Sequence, residues 1–406
     1  MINYIISALG TIAALFFCRN WCVIRGQWDY FNFVVLAVLF FATLKVVCDK
    51  ILKGSTISPS VPESRERMDN IEFLRVIFTT AILCCHFFDK VNVWTRSGYS
   101  VAFFFILSGF FLAKTYSPQK TILGIARNMI KRFVPLIVLA GALRCLFVAT
   151  INWNDFFCEP LFLSGIGILP GPHYCAVSWY ISVLFWISLL YFYILKTKKQ
   201  ESVNVIFGLI AFIGTVALCK RGFTREKFLG DPGDIGFIVE MRLVFGLAMV
   251  AIGYFIFQLY RIIRERITPS IKLRIICTIL ELFALGYPIT FFFYKNAAQS
   301  NIAYVALVFS GLILLFTLKI GYIPNFFERK FWGKLAKYCL AVYLVQGLVV
   351  WNGVGYFLRK YGDWMQDHKG ITIAATLIAC WIAGIWAHHV IEKPCARFFG
   401  LTRPNI

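Results

Sequence analysis

The stretch EFLRVIFTTAILCCHFF, residues 72–88, indicates which class of fold this chain adopts. It lies in an apolar window, residues 70–88, close to the roughly 20 residues that an α-helix needs to cross the hydrocarbon core of a membrane. The same stretch contains a permanent cation, Arg75, and a titratable imidazole, His86. Ionisable side chains are costly inside a membrane, so both residues need an explanation.

The composition of the whole chain is typical of a membrane protein. Of its 406 residues, 59% are hydrophobic and only 15% are charged, whereas soluble domains contain about a quarter charged residues. The net charge of +21 comes largely from Lys and Arg in short loops between apolar runs. That distribution sets the orientation of helices in a membrane and indicates no nucleic-acid partner.

Apolar windows of about 20 residues predict an all-α, polytopic membrane protein with a ten-helix core and two extra N-terminal transmembrane helices. Lys and Arg are about twice as frequent in the loops after even-numbered windows and in the C-terminal tail as in the other loops. By the positive-inside rule, those loops and both termini are cytoplasmic. The windows are 2–18, 30–48, 70–88, 99–116, 133–151, 177–195, 203–220, 236–257, 273–294, 302–319, 337–356 and 371–391.

A polar segment, GSTISPSVPESRERMDN at residues 54–70, indicates a boundary between two modules. The chain is therefore predicted to have four parts. They are two N-terminal transmembrane helices in 1–53, a cytoplasmic linker in 54–68, the ten-helix domain in 69–398 and a cytoplasmic tail in 399–406.

Arg75 and His86 are related by helical geometry. Eleven residues at 100° each return to within about 20° of the starting direction, so the two side chains share one face of the helix. They are separated by roughly 16 Å along the axis, which excludes a direct hydrogen bond. The two residues therefore mark two depths on one polar stripe, with Arg75 nearer the cytoplasm.

Other charges lie within the predicted helices. Lys45 is close to a cytoplasmic end, where its ammonium can reach water. Arg144 and Glu281 are deeper and either pair with each other or bind polar groups elsewhere. Glu240 and Arg242 are two residues apart, so on a helix they point to different faces and are not predicted to pair.

The thirteen cysteines lie mostly inside apolar runs and are predicted to be small buried hydrophobes. Cys158 and Cys175 differ because they share a polar loop, residues 152–176, that has no Lys or Arg and is predicted to be exterior. A disulfide between them requires that this loop faces an oxidising space.

Several short motifs occur in the order typical of one family. An Arg, ten residues and a His in the first core helix resemble the signature of the acyltransferase-3 family of integral-membrane O-acyltransferases. The resemblance covers residues 69–398 and excludes the first two helices. The motifs that carry it are EFLR (72–75), FFFILSGFFL (103–112), IKRFVP (130–135), WYISVLFW (179–186), AVYLVQ (341–346) and HHVIEKP (388–394).

The chain departs from the family pattern at several positions. Gln346 stands where many members have His, Leu184 where many have Glu, and Ala102 where Asp is frequent. The basic residues Arg127, Lys131 and Arg132 do not form a clean RxxR motif. These departures indicate a divergent subgroup and leave the roles of those positions open.

The resemblance implies a donor side and a catalytic residue. His86 is expected to be the catalytic residue, because the pKa of an unperturbed imidazole is near the working pH. Arg75 is expected to position the donor, together with a cytoplasmic basic patch of Arg127, Lys131 and Arg132 that binds its phosphates. An interhelical hydrogen bond is the alternative role for His86.

Six further residues are expected to support the site. For Ser108 a role in helix packing is equally compatible with the sequence, and His173 is either an acceptor contact or an ordinary loop residue. No metal site is predicted. The supporting residues are Glu72, Ser108, His173, Trp179, Arg242 and Gln346.

The activity that the resemblance implies is transfer of an acyl group, usually acetyl, from cytoplasmic acyl-CoA to a hydroxyl of a cell-surface or lipid-linked glycan. Acyl-CoA would be a donor substrate, with no bound cofactor, and the protein would lie in the cell (inner) membrane. A transporter or flippase of lipid-linked sugars is the alternative from another class, since it too would have many helices and intramembrane charges. A non-catalytic partner in glycan assembly is a third hypothesis, which the intact Arg75 and His86 disfavour.

Overall fold

The computed structural model describes residues 68–88, 97–145, 153–166, 175, 177–221, 240–293 and 302–400. Several predictions concern residues outside these ranges. They are the two N-terminal helices with Lys45, the linker except for Met68, His173, and the tail after Gly400.

Helices make up nearly all of the described chain, and those ranges contain no β-strand, which confirms the all-α prediction. Within the described ranges, one 3₁₀ turn, Ser97–Tyr99, and two π-helical segments, Leu348–Val354 and His388–Glu392, interrupt the series. The α-helices are α1 (Asp69–Phe88), α2 (Ser100–Lys114), α3 (Ile122–Cys145), α4 (Trp153–Cys158), α5 (Ser178–Thr197), α6 (Gln200–Arg221), α7 (Met241–Arg266), α8 (Ile271–Phe293), α9 (Ile302–Leu318), α10 (Ile323–Phe326), α11 (Lys330–Ala336), α12 (Cys339–Gly347), α13 (Gly355–Asp367), α14 (Lys369–Ala387) and α15 (Lys393–Phe398).

Five segments of the described chain are long and apolar enough to cross a membrane by length and composition. The protein is therefore a multi-pass membrane protein, whereas the count of ten crossings stays a prediction. The segments are Ser178–Thr197, Gln200–Cys219, Met241–Arg266, Lys330–Val350 and Lys369–Phe398; α2 and α9 are shorter apolar helices.

The boundary of α3 differs from the predicted window, which began at residue 133. The helix begins at Ile122, so the basic patch from Arg127 to Arg132 is helical and does not belong to a loop. Pro135 lies inside α3 without ending it. Hydropathy misses this start because Arg127, Asn128, Lys131 and Arg132 lower the mean hydropathy of the first three turns.

Glycines allow α2 and α7 to approach closely. A Cβ atom on Gly109 would lie 2.0 Å from the carbonyl oxygen of Val250, and one on Gly253 would lie 1.9 Å from that of Ile106. Small residues at helix crossings are the usual device of membrane helix pairs, because they let the two backbones pack together. Gly109 of the LSG motif therefore has a packing role.

The central position of α1 follows from the burial of its apolar residues. Leu74 and Cys84 have no exposed surface, and Phe78 packs its ring against the rings of Phe103 and Phe309. Helix α1 contacts α2, α9, α11, α12 and α14. Its polar stripe consequently lies inside the protein.

Arg144 and Glu281, the two charges predicted to lie deep in the membrane, have different surroundings. The carboxylate of Glu281 accepts hydrogen bonds from the backbone N–H groups of Gly321 at 3.1 Å and Ile323 at 3.2 Å. The Glu281 carboxylate thereby provides hydrogen-bond acceptors for backbone N–H groups at the start of α10. Arg144 interacts electrostatically with Cys175, which also interacts with Glu159.

Glu159 and Cys175, two described residues of the segment before α5, are buried in the protein. The carboxylate of Glu159 is buried and accepts a hydrogen bond from the Cys175 N–H at 2.8 Å. The thiols of Cys158 and Cys175 are both free, and the Cys175 Sγ atom lies 3.5 Å from the carbonyl oxygen of Leu344.

Candidate active site

Helix α1 is continuous from Asp69 to Phe88, so Arg75 and His86 lie on one uninterrupted helix. The guanidinium of Arg75 donates a hydrogen bond to the Glu72 carboxylate at 2.8 Å. The two residues are three positions apart, which places them side by side on a helix. We call the first two turns of α1, which contain Glu72 and Arg75, the Arg75 end. We call the last turn of α1 the His86 end.

A second cation, Arg132 of α3, lies near the Arg75 end. Its charge interacts with those of Arg75, Glu72 and Glu392. Glu392 also pairs with the Nδ1 atom of His388 at 2.8 Å. Two arginines and two carboxylates thus form a mixed charge cluster.

The structure divides the predicted basic patch. Lys131 donates a hydrogen bond to the carbonyl oxygen of Phe399 at 2.8 Å, and its ammonium lies 5.7 Å from the centre of the Phe399 ring. Arg127 is exposed. The charge of Arg132 interacts with that of Arg75.

Tyr180 joins the site between α1, α2 and α5. Its hydroxyl interacts with the Ser108 side chain and with the charges of Arg75 and Arg132. Ser108 in turn donates a hydrogen bond to the carbonyl oxygen of Phe104 at 2.7 Å. Sequence reasoning missed Tyr180, and also Glu392, although both lie in motifs that carry the family resemblance.

Helices α1 and α12 run side by side in the same direction. The Thr79 hydroxyl hydrogen-bonds with the Cys339 thiol, and Leu83 and Val342 share a small buried cluster. His86 and Gln346 follow seven residues after Thr79 and Cys339, respectively. Because seven residues make nearly two full turns, these two residues lie at one level on the facing sides of the helices.

His86 lies in the last turn of α1 and is half-buried. The 3₁₀ turn Ser97–Tyr99 packs against this end, since a Cβ atom on Gly98 would lie 2.9 Å from the Cys85 Sγ atom. Gln346 has no exposed surface. Its Nε2 atom donates to the Tyr343 carbonyl oxygen at 2.8 Å, while its Oε1 atom has no hydrogen-bond partner.

Trp179 and Arg242 pack together at the start of α5 and α7. The Arg242 guanidinium lies 5.7 Å from the centre of the Trp179 ring, and its Nε atom is 2.9 Å from the Glu240 carboxylate. The prediction that Glu240 and Arg242 would not pair is therefore wrong. Glu240 is the N-cap of α7 and has an extended backbone, so the helical argument about faces does not apply to it.

In the part of the chain that the structure describes, no group of three or more His, Cys, Asp or Glu residues lies together in a way that would hold a metal ion. The ionisable groups at the Arg75 end instead pair with one another. Such an arrangement can bind an anionic ligand by exchanging internal pairs for contacts to phosphate.

Fold and site together define a multi-pass helical membrane protein with charged and titratable side chains at two depths of one buried helix. The chain belongs to the acyltransferase-3 family, whose acyltransferase-domain model matches residues 68–388. It is therefore a membrane acyltransferase, which confirms the predicted family. No curated protein and no solved structure matches the chain.

Proposed function

We propose that this protein transfers an acyl group, most simply acetyl, from cytoplasmic acyl-CoA to a hydroxyl of a cell-surface or lipid-linked glycan. The observation that carries the proposal is the arrangement of α1, with paired arginine at one end and His86 at the other. Family membership favours group transfer over transport of lipid-linked sugars.

The Arg75 end suits the donor. Arginine binds phosphate oxygens through two parallel hydrogen bonds, so Arg75 and Arg132 are the residues that we assign to the phosphates of acyl-CoA. Lys131 and Arg127 lie on α3 with Arg132 and provide long-range attraction for an anion. The pantetheine arm then has to extend roughly 16 Å along α1 to bring the thioester to His86.

The His86 end suits the chemical step. The imidazole of His86 removes the proton from the acceptor hydroxyl while the hydroxyl oxygen attacks the thioester carbonyl carbon. The carbon–sulfur bond breaks, and the CoA sulfur takes the proton back from the imidazolium. The products are an O-acyl ester and free CoA thiol, and His86 returns to its neutral form.

The proposed orientation places Arg75 towards the cytoplasm, where acyl-CoA is available, with the protein in the cell (inner) membrane. The excess of Lys and Arg in the loops at that side supports it. The acceptor then approaches from the exterior side, where α1 ends.

The experiment uses the full chain in lipid vesicles with [¹⁴C]acetyl-CoA and a glycan fraction extracted from membranes of cells that lack the protein. We expect label in the glycan fraction and an equal release of CoA thiol. NMR of surface glycans from cells with and without the protein identifies the acylated hydroxyl. Label that stays in acetyl-CoA, with identical NMR spectra from both strains, would contradict the proposal.

A further inference from the structure

The side chain of Gln346 is a buried amide that is only half satisfied. It has no exposed surface, its Nε2 atom is bound to the Tyr343 carbonyl oxygen at 2.8 Å, and its Oε1 atom has no partner. Buried polar atoms are nearly always hydrogen-bonded, so each exception calls for an explanation, and a bound ligand is one.

The orientation of this amide is determined by its surroundings. A backbone carbonyl oxygen only accepts hydrogen bonds, so the atom of Gln346 that faces the Tyr343 oxygen must be the NH₂ group. The Oε1 atom therefore offers two free lone pairs and requires a donor. A neutral hydroxyl group has the matching chemistry.

The seven-residue spacing puts Gln346 at the same level along α12 as His86, the proposed base, has along α1. Thr79 and Cys339 are hydrogen-bonded, and His86 and Gln346 each follow seven residues later on parallel helices. The start of α5 adds a second group, since the Tyr343 hydroxyl donates to the Val177 carbonyl oxygen at 2.9 Å. The next residue, Ser178, has a buried hydroxyl that also lacks a partner.

We propose that Gln346 binds the acyl acceptor, and that its Oε1 atom accepts a hydrogen bond from a second hydroxyl of a polyhydroxylated substrate. This hydroxyl is a neighbour of the one that reacts, whose proton passes to His86. The contact orients the sugar ring and so selects which hydroxyl is acylated. The inference rests on the proposed function.

The test compares Gln346→Leu with the wild-type chain in vesicles, using [¹⁴C]acetyl-CoA and the same glycan fraction. The variant lacks the acceptor atom, so we expect about a tenfold higher half-saturating glycan concentration, the effect of one hydrogen bond. The KM for acetyl-CoA should be unchanged. The unfolding temperature should be equal or higher, because an unsatisfied buried group has been removed.

Ser310→Ala is the matched control. The Ser310 hydroxyl is likewise buried without a partner, but it belongs to α9. This variant should keep the wild-type half-saturating glycan concentration. Gln346→Met, which retains the length of the side chain, takes the place of Gln346→Leu if the latter does not fold.

Two results would overturn the inference. If Gln346→Leu needs the same glycan concentration as the wild type, or changes the KM for acetyl-CoA instead, then Gln346 does not bind the acceptor. If the wild-type chain transfers no label at all, the proposed function fails and the inference fails with it.

Discussion

The two ends of α1 differ in whether their buried polar groups have partners. At the Arg75 end the groups are charged and paired: Arg75 with Glu72, and Glu392 with His388. At the His86 end the Gln346 Oε1 atom and the hydroxyls of Ser100 and Ser178 are buried without partners. Ser100 begins α2 directly after the 3₁₀ turn that packs against α1.

The difference agrees with the ligand that we propose for each end. Charges in a membrane interior must be compensated whether or not a ligand is present, so a site for an anionic donor carries its own counter-charges. A site for a neutral, hydroxyl-rich acceptor can keep unsatisfied atoms, because each costs far less than an unpaired charge. Four substitutions test this contrast.

The largest expected effect is at the His86 end. His86→Ala removes the proposed base, and we expect acyl transfer to fall by about 10²–10⁴-fold, the usual contribution of a general base. Transfer of label from [¹⁴C]acetyl-CoA by equal amounts of inserted protein measures it. His368→Ala is the matched control, since this histidine is exposed and stacks on Trp364. Wild-type transfer by His86→Ala would exclude His86 from the mechanism.

The next effect is at the Arg75 end. Arg75→Ala leaves the buried Glu72 carboxylate without its partner, which should lower the free energy of unfolding by about 3–5 kcal/mol and weaken donor binding. The double variant Glu72→Gln with Arg75→Gln should recover most of the stability but not the KM for acetyl-CoA. Thermal unfolding and donor titration separate the two effects. A wild-type donor KM in the double variant would contradict the positioning role of Arg75.

A smaller effect is expected for Arg132→Gln. This change removes one cation from the charge cluster, and we expect about a tenfold higher KM for acetyl-CoA, the effect of one charged hydrogen bond. Lys131→Gln should change the KM less, because Lys131 is bound to the Phe399 carbonyl oxygen. Donor titrations of both variants provide the measurement. Equal effects would show that the basic patch acts only through its total charge.

The smallest effect is expected at a pair outside the site. Lys319 and Glu328 form an ion pair whose side chains are 29% and 33% exposed. Lys319→Gln should lower the free energy of unfolding by only about 0.2–1 kcal/mol, because water screens such pairs. Thermal unfolding beside the Arg75 variants gives the comparison. A loss as large as that of Arg75→Ala would mean that burial does not distinguish the two pairs.

Sequence reasoning predicted the helices well but some contacts poorly. The 70–88 window became α1 with both polar residues on it, because helical period and hydropathy are local properties. The predictions for the start of α3 and for Glu240 and Arg242 were wrong because both depend on where a helix begins. Boundaries are less securely encoded than periodicity, since several residue types satisfy a helix terminus.

The sequence by itself determined a helical membrane protein, the family to which it belongs and the spacing of Arg75 and His86 on one helix. These follow from hydropathy, helical geometry and short motifs, which need no knowledge of neighbours. Only the tertiary structure brought Arg132 and Glu392 to Arg75, Tyr180 to Ser108, and Gln346 level with His86. Those contacts join residues far apart in the chain, so they depend on how the helices pack against one another and not on any local pattern.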